Sequence, residues 1–463
     1  MRQAGNPLAL QRKSRSVADG NKERIFACRA AAVVTQPERC ELNMCSSKQF
    51  SESSNVLAPG LRWEIRDLFA DMLDFPNGIA ASSFTLHPVE NDERVIDFGF
   101  GLPDPQLFRL NNLIAAADQA LRSDGLRALQ YGGGSGMAKL PEWIRTVHAK
   151  RRGIPCDLDE IVVTHGSSQA LDLIARVFLN AGDEVWFERP TYFGAIKIFG
   201  LRGAVQRDFP MDDQGLVVDA VVNELTRRAE TGQPGPKLFY VVPNYQNPSG
   251  RSMSAARRVQ LVELAQRYQF LIVEDDAYGD LGFEGQMLPT LRQLCPSHVL
   301  YLNTLSKTLA PGFRIGWILT PAPVVEKIYE IKAEGANGGF IQEVVSRLLW
   351  SIDYDQHVAH LQEHYRQRRD AMLQALDHDF GAGAQWTRPL GGFFVWLTLP
   401  DWASLGPLTA KSQEIGVSFV PGTVCYLTPG GQNQMRLSFS LYPPETITEG
   451  IHRLKRLVES IRA

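Results

Sequence analysis

The sequence predicts an α/β protein with a large domain built on a mostly parallel sheet and a smaller α+β C-terminal domain. Between residues 159 and 320, short apolar runs typical of buried strands alternate with segments of helical periodicity. Such alternation indicates parallel strands joined by helical crossovers. After Pro321 the pattern changes to long, polar-rich helices, then to two apolar strands and a closing helix.

The predicted elements follow in chain order. A short strand at residues 95–98 precedes a helix from Leu110 to Arg122. Further strands are predicted at residues 161–164, 184–188, 237–242, 270–273, 299–302 and 315–319. Helices are predicted at residues 170–179 and Ala255–Tyr268. In the smaller domain, helices fill about 323–378, strands lie within 389–397 and 434–439, and a helix closes the chain at 445–461.

Four segments divide the chain on this interpretation. Residues 1–57 form a disordered extension, with nine Lys/Arg against five Asp/Glu and no sustained apolar period. This extension only weakly resembles a transit peptide. Residues 58–110 pack on the small domain and include a helix at 61–72, residues 111–322 form the large domain, and residues 323–463 form the small domain.

Composition excludes several classes of protein. The 463 residues are 44% apolar and carry a net charge of −3, so neither a nucleic-acid-binding nor a membrane-binding surface is indicated. No apolar run is long enough to span a bilayer. The six cysteines show neither disulfide nor metal-ligand spacing, so we expect a reduced, cytoplasmic protein without a metal site.

One stretch, Thr304–Arg314, carries Lys307 between two apolar runs. Burying an unpaired ammonium is costly, so two interpretations compete. The lysine can extend to the surface from a strand end, or it can be a buried amine nucleophile whose pKa is lowered. Taken alone, the stretch favours the first interpretation.

Other polar motifs also follow predicted strands, where ligands gather in open α/β sheets. The turn His165–Gln169 places Ser167 and Ser168 at a helix N-terminus, a potential anion site. Three acids, Glu274 to Asp276, directly follow an apolar strand. The remaining motifs are Pro190-Thr-Tyr192, Asn244–Gly250 and the glycine-containing segment around Gly101. Each motif alone is weak evidence for a binding site, because ordinary turns and solvated strand ends have similar compositions.

Together, in this order and spacing, the motifs resemble those of the fold type I aminotransferases of class I/II, which depend on pyridoxal 5′-phosphate (PLP). The resemblance covers about residues 60–460. Within that group the chain is similar to the 2-aminoadipate, kynurenine and aromatic aminotransferase branch, which also supplies the catalytic part of MocR-type regulators. The resemblance implies that PLP is the cofactor.

The resemblance also implies roles for individual residues. Lys307 would form a Schiff base with PLP and then act as general base and acid. Asp275, chosen over Asp276 by the family spacing, would pair with the pyridine nitrogen. Tyr278 and Asn247 would bind the ring hydroxyl oxygen, and Tyr192 would stack on the ring.

For the phosphate and the substrate, the resemblance implies two further sets. The phosphate-binding set is Ser167, Ser168, Thr304, Ser306 and Arg314. The substrate-binding set is Gly101, Asn247 and Arg436, the last of which would clamp the α-carboxylate. Tyr131 would reach the phosphate of a neighbouring subunit, which implies a homodimer.

The function expected from the resemblance is exchange of an amino group between an L-amino acid and a 2-oxo acid. Aromatic amino acids, 2-aminoadipate and branched-chain amino acids remain open as donors, with 2-oxoglutarate as acceptor. A PLP-dependent lyase or decarboxylase is an alternative, because the same lysine chemistry supports it. A MocR-like regulator is disfavoured, because residues 1–57 lack the three periodic helices of a winged helix-turn-helix.

Overall fold

The structure, a computed structural model, describes residues 95–132, 136–285, 287–332 and 337–461, all of which belong to one compact unit, Phe69–Ala463. The predicted extension at residues 1–57 and the helix at 61–72 lie outside these ranges, as do parts of the glycine-rich loop after Tyr131 and of the loop after Lys332. None of the helices within the described ranges is long and apolar enough to cross a membrane.

An eight-stranded sheet forms the larger layer, in the order β2-β9-β8-β7-β6-β3-β4-β5. The five strands from β8 to β4 run parallel, whereas β9 is antiparallel to both of its neighbours and β5 is antiparallel to β4. The strands are β2 Ile161–Thr164, β3 Glu184–Arg189, β4 Val205–Asp212, β5 Gly215–Leu216, β6 Leu238–Val241, β7 Leu271–Asp275, β8 Val299–Thr304 and β9 Gly316–Leu319.

The central strands are rich in apolar residues because helices cover both faces of this sheet. All residues of β2, β6, β8 and β9 are buried. The accompanying helices are α1 Leu110–Ala128, α2 Gly136–Trp143, α3 Gly166–Phe178, α4 Phe193–Gly200, α5 Val218–Glu230, α6 Ala255–Tyr268 and α7 Leu291–Leu294. A π-helical segment, Ile144–Ala149, continues α2.

The C-terminal part is α+β. Its antiparallel sheet has the order β10-β11-β14-β13, formed by β10 Gln385–Trp386, β11 Phe394–Thr398, β13 Val420–Pro421 and β14 Gln434–Ser438. The helices are α8 Ala322–Ile331, α9 Gly339–Ser351, α10 Tyr354–Asp379, α11 Leu405–Ile415 and α12 Pro444–Glu459. Near the start of the described chain, β1 (Ile96–Asp97) pairs in parallel with β12 (Val417–Ser418).

The predicted fold class is confirmed, with a mostly parallel large sheet and a smaller α+β part. Strand β2 and helix α6 have the predicted bounds. Between Gly194 and Gly235 no element was predicted, yet most of α4 and all of β4, β5 and α5 lie there. Strand β4 gives little signal because seven of its eight residues are exposed or half-buried, so the strand contains no buried apolar run. The domain limits at residues 57, 110 and 322 stay predictions.

Candidate active site

The candidate site forms at one edge of the large sheet. Strands β7 and β8 end there, at Asp275 and Thr304, because parallel strands bring their carboxyl ends to the same edge. Strand β9 is antiparallel, so it begins at this edge, and Gly316 pairs with both Thr304 and Thr164. Residues that precede β9 therefore meet residues that follow β2 and β8.

Lys307 lies in the turn after β8, half-buried, and its Nζ donates to the Gly101 carbonyl at 2.9 Å. The same nitrogen lies 6.0 Å from the Tyr278 ring centroid and 5.8 Å from that of Phe393. Burial lowers the pKa of this amine to about 8, helped by Arg436 and Arg314 and opposed by the Asp275 carboxylate. An amine with such a pKa is partly neutral near pH 7 and can act as a nucleophile or base.

The three consecutive acids at the end of β7, Glu274 to Asp276, lie in three different environments. Glu274 accepts hydrogen bonds from the backbone N–H groups of Leu291 and Arg292, at 2.9 and 2.8 Å. Asp276 accepts hydrogen bonds from Arg152 Nε at 3.0 Å and from the Tyr301 hydroxyl at 2.8 Å, and both partners are buried.

Of the three, only Asp275 faces the site, because adjacent side chains at a strand end point to opposite sides. Its Oδ2 accepts a hydrogen bond from the Tyr240 hydroxyl at 2.9 Å. Burial raises the pKa of Asp275 to about 6, although the Tyr240 hydrogen bond lowers it. Tyr240 was not predicted to take part. Its only sequence signal is a hydroxyl in an otherwise apolar strand.

Two aromatic residues and an amide surround this carboxylate. Tyr278 is buried, which raises the pKa of its hydroxyl well above the usual value, while a hydrogen bond with Asn247 lowers it. Burial also raises the pKa of Tyr192, and the next largest cause is the charge of Asp275, so these two groups lie close together. The predicted ring-binding residues are therefore brought to one place.

Arg436 reaches the site from β14 of the smaller sheet. Its side chain is buried, and Nη1 donates to Asn247 Oδ1 at 2.8 Å while Nη2 donates to the Gly99 carbonyl at 2.5 Å. The guanidinium carbon lies 4.2 Å from the Phe394 ring centroid, a cation–π contact that sequence reasoning missed. Burial lowers the pKa of this guanidinium.

Gly101 borders the same region as a backbone group. Its carbonyl holds Lys307, and a Cβ there would lie 2.6 Å from the Phe394 ring. A side chain at this position would therefore displace the ring that stacks on Arg436. That Gly101 lines the substrate pocket stays a prediction.

The predicted phosphate-binding residues divide into two groups. Ser167 and Ser168 lie in the first turn of α3, which begins at Gly166 with a φ of +75°. Arg314 crosses this turn, and its Nη2 donates to the His165 carbonyl at 3.3 Å. Ser168 and Arg314 are exposed. The free N–H groups of a helix start and a guanidinium together make an anion site.

Thr304 and Ser306 are buried and bonded to each other instead. The Thr304 hydroxyl donates to the Ile315 carbonyl at 2.9 Å and lies 2.9 Å from the Ser306 hydroxyl. These contacts close the turn that presents Lys307. Tyr131, by contrast, is not brought to this edge, and its side chain is 100% exposed.

The donor set fits PLP. It combines a half-buried amine, a buried carboxylate, aromatic rings, and a helix N-terminus beside an arginine for the phosphate group. On a doubly wound sheet with a smaller α+β part, this set defines the fold type I enzymes that depend on PLP.

Comparison with known proteins agrees. Residues 93–454 match the family described as aminotransferase class I and II. An aromatic-amino-acid aminotransferase of Thermococcus litoralis is 38% identical over 80% of this chain and 88% of its own. The chain belongs to the class I and II aminotransferases, and PLP is its cofactor.

Two solved structures extend the comparison. The multiple substrate aminotransferase of Thermococcus profundus has a TM-score of 0.78 and 35% identity, over 86% of this chain and 99% of that one. The α-aminoadipate aminotransferase LysN of Thermus thermophilus, complexed with N-(5′-phosphopyridoxyl)-L-leucine, has a TM-score of 0.74 and 34% identity, over 80% and 93% of the two chains.

Proposed function

We propose that Lys307 carries PLP and moves the proton in transamination, with Asp275 as its electrostatic partner at the ring. When bound, PLP supplies an aldehyde that condenses with amines and a ring that accepts electrons. Lys307 is suited to proton transfer because its pKa, lowered to about 8 by burial, lies near neutral pH. The Asp275 carboxylate would keep a proton on the pyridine nitrogen, and Tyr240 orients that carboxylate.

The positions of the surrounding side chains support the remaining contacts proposed with the PLP ring and its phosphate group. Tyr278 and Asn247 would bind the ring hydroxyl oxygen, and Tyr192 would stack on the ring. Arg314 and the first turn of α3, with Ser167 and Ser168, would bind the phosphate group. Thr304 and Ser306 would complete this region through the turn that they close.

Arg436 would bind the α-carboxylate of the substrate, with Gly101 and Asn247 beside it. The support is its burial, because a desolvated guanidinium held by neutral acceptors favours exchange of those acceptors for a carboxylate. The named activities of the similar proteins suggest aromatic amino acids or 2-aminoadipate as donor, and the leucine adduct of LysN adds branched-chain amino acids. The proposed acceptor is 2-oxoglutarate.

A homodimer in which Tyr131 reaches the neighbouring phosphate is also part of the proposal. The support is an exposed apolar surface on α1 and the turn after it, next to Tyr131. Its members are Leu110, Ile114, Leu121, Leu126 and Leu129, which are 50–93% exposed. Apolar surface of this extent is typical of subunit interfaces. A cytoplasmic location, expected from the cysteine pattern, completes the proposal.

The placement of Lys307 between Asp275 and Arg436 carries this proposal, and one experiment tests it. Purified protein with PLP should show a visible absorption band and form glutamate from 2-oxoglutarate with at least one of the proposed donors. Lys307→Ala should lose both signals. A wild-type protein that stays colourless with PLP would refute the role of Lys307. Product formation without a 2-oxo acid would indicate elimination or decarboxylation instead.

A further inference from the structure

A cluster of three potential metal ligands lies away from the PLP site, where α10 ends beside α12. Asp379 is the last residue of α10, and His378 precedes it, while His452 lies on α12. His378 Nδ1 is 2.8 Å from one Asp379 carboxylate oxygen, and His452 Nδ1 is 2.5 Å from the other. The carboxylate is therefore held between two imidazoles.

The ligand atoms suit a divalent transition metal. One nitrogen from each histidine and one oxygen from Asp379 all lie within 4.8 Å of one another. Imidazole nitrogens and carboxylate oxygens bind Zn²⁺ at about 2.0–2.2 Å in tetrahedral geometry, so two ligands of one ion lie about 3.3–3.6 Å apart. The His378 side chain is 79% exposed and can move the remaining distance, whereas the Asp379 side chain is 8% exposed and stays in place.

Burial of the carboxylate argues that the cluster is more than a pair of surface hydrogen bonds. A mostly buried aspartate needs compensating partners, and a bound divalent cation compensates a carboxylate more strongly than hydrogen bonds alone do. We propose that His378, Asp379 and His452 bind a divalent transition metal of the Zn²⁺ type, with water completing the coordination. The sequence predicted no metal site, because His452 lies 73 residues beyond Asp379 and only the fold brings them together.

Such an ion would join two helices of the smaller part of the molecule. Helices α10 and α12 pack against each other, and α12 follows β14, which carries Arg436. Metal binding to the folded state alone stabilises that state. The ion would therefore stabilise the packing behind β14 without touching the PLP site.

Zinc titration of the PLP-loaded protein tests the proposal, after chelator treatment and removal of the chelator. We expect wild type to bind one more equivalent of Zn²⁺ than His378→Ala, with a dissociation constant on the order of micromolar. Zinc should raise the midpoint of thermal unfolding by a few degrees in wild type but not in the variant. Zinc bound by the six cysteines or by PLP contributes equally to wild type and variant. It therefore cancels when the two zinc stoichiometries are subtracted.

A matched control is His360→Ala, which removes an exposed imidazole 6.3 Å from that of His364 on the same helix. It should bind zinc as wild type does. Asp379→Asn keeps the size of the side chain and should lose the extra equivalent. Equal zinc stoichiometry and equal thermal shifts in wild type and His378→Ala would overturn the proposal.

Discussion

The two halves of the proposed PLP site differ in how completely a single chain forms them. The ring half, comprising Asp275, Tyr278, Asn247 and Arg436, is buried, and protein groups already hydrogen-bond to Asp275, Asn247 and Arg436. The phosphate half, comprising Ser167, Ser168 and Arg314, is half-buried or exposed. The difference teaches that one chain fixes the ring half, while the phosphate half leaves room for the cofactor and, in the proposed homodimer, for a second subunit.

The largest expected effect lies in the ring half. Asp275→Asn should lower kcat on the order of 10²–10³-fold, because a preorganised charge at the ring is lost. The apoprotein should not lose stability at pH 7. Burial raises the pKa of Asp275 to about 6, so above pH 6 the folded state carries the full cost of the charge.

Asp276→Asn is the contrasting variant. It leaves Arg152 in a buried site without its anionic partner, which typically costs about 3–5 kcal/mol. Chemical denaturation should therefore separate the two variants even where both lose activity. Similar stability losses in both would contradict the assignment of Asp275 to the ring and Asp276 to the scaffold.

A second test concerns the free-energy cost of burying the Lys307 amine beside the ring half. In the apoprotein, Lys307→Met should be more stable than wild type by about 1–3 kcal/mol below pH 8. Burial lowers the pKa of this lysine from 10.5 to about 8, so between these values the unfolded chain binds more protons than the folded one. Wild-type stability therefore rises with pH across this window, and the gap should close by about pH 10.5.

Urea unfolding of both apoproteins at several pH values measures this gap. Lys150→Met, which replaces an exposed lysine, serves as the control and should follow wild type at every pH. A constant difference between Lys307→Met and wild type from pH 6 to 10 would show that the amine titrates as an ordinary lysine.

The phosphate half should respond in affinity instead of rate. Arg314→Lys keeps the charge but loses the bidentate fork, so the dissociation constant for PLP should rise about 10-fold. Titration of apoprotein with PLP, followed by absorbance, measures this change. Arg202→Lys replaces an exposed arginine elsewhere and should bind PLP as wild type does. Unchanged affinity for PLP in Arg314→Lys would show that this arginine does not bind the phosphate group.

The smallest effect is expected at Tyr131. Tyr131→Phe should weaken PLP binding about fivefold, the equivalent of one hydrogen bond, without changing the unfolding temperature of the apoprotein. The fully exposed side chain has little structural role within one chain. Sedimentation should show a dimer for wild type and variant alike. A monomeric wild type that binds PLP normally would rule out the contribution across an interface.

The sequence predicted the fold class and the edge of the sheet where the site lies, because strand periodicity and polar strand ends are local signals. It could not separate Asp275 from Asp276 by the residues alone. The distinction depends on Tyr240, 35 residues before Asp275, and on Arg152, 124 residues before Asp276. The Phe394 contact with Arg436 was missed for the same reason, since adjacent antiparallel strands bring these side chains together.

The antiparallel strand β9 has a consequence for protein engineering. Because Gly316 pairs with Thr304, residues 305–315 form the connection of one hairpin that carries both Lys307 and Arg314. The spacing of amine and guanidinium is thus a property of the hairpin, independent of how the two sheets are oriented. A circular permutant opened at the exposed Gly312 would place these two side chains near opposite ends of the polypeptide. Each side chain would still be held by its own strand, Lys307 by β8 and Arg314 by β9, because the two strands pair directly.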